Sequence, residues 1–228
     1  MTHCSHGRMV ARGRSGKLLT GCLIAIGMIL LIAGIAAYFV ATNWRGWAAT
    51  GMKTVSVELI NQADIPAGEK PEMIAHVESY ADLFEAGDVN AEQFVEAMKG
   101  LGEGSLIPVG IVYGIDEGYL KPSGLSEEEK TDGTRALQRF ARGLHDSTLQ
   151  PSSIKQIAAP IGYEDADGSF HLNAKSSVND DMLRETIANA KAKADEAGIA
   201  DEAFVVDLSD ELKKVLDASR GLIPGESP

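Results

Sequence analysis

Residues 18–40 read LLTGCLIAIGMILLIAGIAAYFV, and this run decides how the chain is organised. It contains no charged side chain, and the next one is Arg45. Wound as a helix, its 23 residues rise about 35 Å, enough to cross a hydrocarbon core of about 30 Å. Arg8, Arg12, Arg14 and Lys17 precede the run with no acidic residue among them. Flanking Lys and Arg are retained on the cytoplasmic side of a membrane. The spacing therefore predicts a basic cytoplasmic tail over 1–17, a single transmembrane helix over 18–42 and an acidic extracytoplasmic domain over 43–220 at the cell membrane. Tyr38, Trp44 and Trp47 stand where an aromatic belt would anchor the outer end.

Two competing readings of the run fail on order and length. A cleaved signal peptide has an apolar core of about 7–15 residues, and this one is longer. The best small-x-small site, Gly34-Ile35-Ala36, falls inside the run instead of after it. Leu19-Thr20-Gly21-Cys22 spells a lipobox, yet the apolar segment follows the cysteine rather than preceding it. Ala33, Ala37 and Ala41 recur every four residues. Such small residues let helices approach closely, so the expected partners are the bilayer itself and either another protein or a second copy paired through the membrane helix.

The chain has 33 Asp and Glu against 21 Lys and Arg. All of the acids and 16 of the cations lie after Trp47, leaving that part at −17. A face of that sign disfavours nucleic acid and anionic headgroups and keeps a tethered domain solvated. The only cysteines are Cys4 and Cys22. The domain is therefore no disulfide scaffold, and its roughly 180 residues are enough to bury a core without staples.

Periodicity after Trp47 is helical, giving an all-α expectation. Met73, Val77, Tyr80 and Phe84 share one helical face; so do Gly133, Leu137, Phe140 and Leu144, and again Leu183, Ile187, Ala190 and Ala194. Each run is followed by a turn and a second short amphipathic segment, starting after Asn90, after Ser152 or Ser153, and after Ser209. Gly87 and Gly198 suit helix ends. Ser126 ahead of three glutamates, and Asn179 ahead of two aspartates, suit helix starts. Phe84 and Gly87 recur 56 residues later as Phe140 and Gly143, so about three weakly repeated helix-turn-helix units are expected, packed through Phe84, Phe94, Phe140, Ile154, Ile187 and Phe204. Lys53 to Ile60 alternates like a strand, but its position beside the apolar run favours helix. Asp165-Ala166-Asp167-Gly168 between Ile161–Glu164 and Ser169–Leu172 predicts one small β-hairpin. Residues 221–228 read as a flexible tail.

Chemistry is sparse. Asp165, Asp167 and His171 form the best metal motif, because carboxylates two apart can share a hard cation. Set as an EF-hand with Gly168 at the sixth position, the loop would run from Tyr163 to Ala174 and lack both terminal ligands. Glu72 and His76 share a helix face without the HExxH or ExxH pattern of zinc and di-iron helices. His3, Cys4 and His6 are three donors with nothing to pre-organise them. No GxSxG elbow and no phosphate-binding loop occurs, so neither enzymatic activity nor a cofactor is expected. Leu106 to Ile115 is ten apolar residues long, too short to span a membrane. It fits a buried helix begun at Ser105 with Pro108 in its first turn, or a docking run through Leu106, Val109, Ile111 and Val112. The leading expectation is a structural or protein-interaction module at the outer membrane surface. The alternative is a metal-binding sensor or metal-dependent enzyme using the Asp165, Asp167 and His171 turn.

Overall fold

The computed structural model describes residues 43–222. The expected cytoplasmic tail, the expected membrane helix with its Ala33, Ala37 and Ala41 face, and most of the expected C-terminal tail lie outside the described residues. The chain divides into two units, Met1–Trp47 and Ala48–Pro228. Residues 43–47 of the first are helical. In the second, residues 48–62 form helix α1, so the Lys53 to Ile60 segment is helix. There follow α2 (Glu69–Ala86), α3 (Ala91–Glu103), α4 (Leu106–Ile115), a π turn (Asp116–Leu120) and α5 (Glu127–His145). The chain continues through α6 (Ser153–Ala158), strands β1 (Gly162–Glu164) and β2 (Phe170–Leu172), α7 (Asp180–Glu196) and α8 (Leu208–Ser219). The strands pair antiparallel with Glu164 opposite Phe170, making the expected hairpin one residue shorter at each strand start. The described residues are mostly helical, and no helix among them is long and apolar enough to cross a membrane.

Local chemistry sets most helix ends. Asn90 and Gln93 exchange side-chain and backbone hydrogen bonds at the start of α3, each 2.9 Å. Ser126 and Glu129 do the same at the start of α5. Both pairs satisfy donors that a helix start leaves open. The last helix departs from expectation. Its cap is Asp207, whose Oδ1 accepts from Asp210 N–H at 2.9 Å. Ser209 does not cap: its N–H donates to Glu69 at 3.1 Å, and its one hydroxyl proton faces both Asp207 at 2.7 Å and Glu72 at 3.0 Å. Glu69 thus ties α2 to α8.

Helices α2 and α5 leave by the same turn. Gly87 (φ 93°) follows α2, and Val89 N–H donates back to Leu83 C=O at 3.1 Å. Ser147 (φ 57°) follows α5, and Leu149 N–H donates to Gly143 C=O at 2.8 Å. The two exits therefore stand at an offset of 60 residues, not 56. That offset sets Ser147 opposite Gly87, and buried Leu137, Phe140, Ala141 and Leu144 opposite buried Val77, Tyr80, Ala81 and Phe84. Gly143 is not a helix stop. It lies inside α5, where a Cβ would come within 2.4 Å of Ile199 Cδ1. His145 accordingly belongs to the last turn of α5, with Asp146 as its C-cap.

Phe140 is fully buried, as are Ile115, Leu120, Leu137, Ile157 and Ile161 of the same core. Phe84 and Ile154 are buried too, while Phe94, Ile187 and Phe204 pack on the core from its edge. Helix α5 rests on α7 and α4, and α8 returns to lie on α2 and α3. There Tyr80 Oη is 2.9 Å from Ser219 Oγ. The seam between α5 and α7 is clamped by Arg139, only 5% exposed. Its guanidinium donates to Asp195 at 2.7 Å and to the carbonyls of Ile199 and Ala200.

Candidate functional site

Every residue of α4, LIPVGIVYGI, is apolar or tyrosine, so composition does not say which face turns inward. Packing decides it. Leu106, Pro108, Val109, Val112, Tyr113 and Ile115 are buried, whereas Ile107 is 51% and Ile111 40% exposed. Of the expected docking run, Leu106, Val109 and Val112 therefore belong to the core, and Ile111 alone reaches the surface. Ile107 takes the outer position that the sequence reading assigned to none.

Between Ile107 and Ile111 the outer face of α4 is floored by glycine. A Cβ on Gly110 would meet nothing within 4 Å, and one on Gly114 would meet only the Asp64 carbonyl at an ordinary 3.6 Å. Helix α1 supplies the wall through Leu59, 63% exposed, with Val55 beyond it. The result is a groove of about 430 Å³, lined almost entirely by aliphatic side chains and glycine. Asp64 at its edge is paired with Lys175 at 2.8 Å.

The hairpin brings Asp165 and His171 together, with His171 Nε2 2.8 Å from Asp165 Oδ2. That hydrogen bond, with those from the Ser169 and Asp167 N–H groups to Asp165 Oδ1, holds the Asp165 carboxyl below its ordinary range. The carboxylate is thus satisfied as a turn cap. Tyr163 stacks on the His171 ring at 5.4 Å. Among the described residues no group of three or more His, Cys, Asp and Glu is arranged to hold a metal ion.

Sequence reasoning missed one further cleft, about 230 Å³, where the π turn meets α2 and α5. Asp116, its carboxyl only 13% exposed, accepts from Thr134 Oγ1 at 2.6 Å and lies 3.7 Å from Lys121. Burial pushes the Asp116 carboxyl above its ordinary range and does the same to Glu69 across the cleft. Tyr113, raised by burial as well, accepts a hydrogen bond from Val206 N–H at 2.7 Å. The one available signal was an Asp-Glu pair directly after ten apolar residues. π turns cluster at functional sites, but here every polar group named is used within the fold.

No family model, curated protein or solved structure matches the chain. Function has to be argued from geometry, and among these three places only the α1–α4 groove presents a surface that the described residues leave uncovered.

Proposed function

We propose that this chain is a single-pass, membrane-anchored interaction module that holds its helical domain at the outer face of the cell membrane and docks a protein there through the α1–α4 groove. The observation that carries the docking role is the exposed aliphatic face of Leu59, Ile107 and Ile111 around Gly110. Contiguous apolar surface of this kind on an otherwise charged domain marks a binding site. Anchoring is supported by the uncharged run over 18–40 and the four cations ahead of it. The finer architecture is part of the same proposal: a membrane helix over 18–42, then three related helix-turn-helix units. The shared exits of α2 and α5 support the first two units.

Crosslinking full-length protein in its native membrane, followed by recovery of the products, tests this. Wild type should yield a specific product that Ile107→Asp and Ile111→Asp abolish while leaving the helical circular dichroism intact. Recovery of the same products from those variants would remove the groove as the docking site.

A further inference from the structure

We infer that the occupant of the groove is a second copy of this chain, the two α4 helices crossing so that Ile107 and Ile111 of each sit over Gly110 and Gly114 of the other. This rests on the docking role proposed above and names its partner. The first argument is the unexplained glycines. Glycine is among the poorest helix formers, and Gly110 stands mid-helix where the protein has open space for a larger side chain. Its smallness serves nothing within the described fold, whereas it would let another helix backbone come close.

The second argument is self-complementarity. Ridge and notch lie on the same element, four residues apart in each case: Ile107 and Ile111, Gly110 and Gly114. A two-fold axis through this face presents each copy's ridges to the other's notches, as a closed dimer requires.

Charge and area complete the case. Everything after Trp47 sums to −17, so two copies repel except where charge is absent, and α4 carries none. The exposed parts of Leu59, Ile107 and Ile111 amount to roughly 300 Å² per copy. Two such patches bury on the order of 600 Å², the size of a weak, transient contact rather than of a stable dimer in solution. Confinement to one membrane raises the effective concentration enough for a contact of that size to form. Repulsion between the copies also fixes a sign: salt should strengthen the dimer by screening, whereas a cationic partner would be released by it.

The experiment is fluorescence transfer between donor- and acceptor-labelled copies of the full chain in phosphatidylcholine vesicles, which keep the confinement, at about 0.05 M and about 0.5 M salt, conditions that differ several-fold in screening length. Wild type should dimerise, with at least about a tenfold larger association constant at high salt, a factor large enough to resolve. Ile111→Asp and Gly110→Leu should each lower the constant by about tenfold or more while the monomer keeps its helical spectrum. A chain monomeric at both salts overturns the inference. So does a dimer lost on Ala33→Leu with Ala37→Leu but untouched by Ile111→Asp, since the span alone would then pair. If self-docking fails while Ile111→Asp still releases a foreign crosslinked protein, the groove remains a docking site with a different partner. If Ile111→Asp alters neither readout, both readings fall.

Discussion

Glycines sit on two helix pairs in this domain, and they meet opposite fates. In the α5–α7 seam, a Cβ on Gly133 would lie 2.7 Å from Ile187 Cδ1 and 2.8 Å from Leu120 Cδ2. Gly143 is closed in the same way by Ile199 and Leu149. Around them Arg139 locks α5 to the loop after α7, and Arg184 joins Glu129 across the same seam at 2.8 Å. On α4, by contrast, Gly110 has open space before it and aliphatic side chains left in water. Small residues are spent in one place on the fold's own closure. In the other they close against nothing among the described residues.

The sharpest way to break this contrast is to attack the closed seam. Arg139→Met should destabilise the full chain by about 1–2 kcal/mol in urea unfolding, because it leaves the part-buried carbonyls of Ile199 and Ala200 and the half-exposed Asp195 without their donor. A loss below about 0.5 kcal/mol, the scatter of neutral surface changes, would show that the clamp does not hold the seam. Gly143→Val should cost about 1–3 kcal/mol through overpacking, read from the same titration.

The open face should respond with the opposite sign. Gly110→Ala is expected to stabilise the monomer by about 1 kcal/mol, since alanine is the better helix former and meets no neighbour. Destabilisation there would mean the groove is more crowded than the geometry shows. The smallest effect is acid dependence at the seam. The hydrogen bond from Arg184, joined by those from Ser126, lowers the Glu129 carboxyl to about 2. Its contribution is complete above the ordinary carboxylate value of 4.5 and is lost as pH falls through about 2. Melting temperatures of wild type should therefore drop more between these limits than those of Glu129→Gln; parallel curves would show the pair to be idle.

Amphipathic faces made much of the fold legible. Val77, Tyr80 and Phe84 announced the inner side of α2, and Asn90, Ser126 and Asn179 announced helix starts, because each signal is local. The illegible parts depended on neighbours. An all-apolar α4 has no periodicity, so its outer residues, Ile107 and Ile111, are fixed only by where α1 and α5 lie. Ser147 takes a left-handed turn that glycine usually marks, so the 56-residue match to Gly143 set the wrong equivalence. Ser209 resembles a cap but is drawn to two glutamates some 140 residues earlier, leaving Asp207 to start α8. The Asp116 cleft needs the π turn to form, and nothing in the spacing announces one.

The return of α8 onto α2 and α3 has a consequence for how the protein is made. Tyr80 waits for Ser219, a partner 139 residues downstream. At about 5–20 residues per second of synthesis, the apolar side of α2 and α3 stands uncovered for roughly seven to thirty seconds after it leaves the ribosome. Closure cannot begin until nearly the whole chain has emerged. A message cut short before residue 208 would release a nascent product with its first helices bare, a ready substrate for chaperones and proteases.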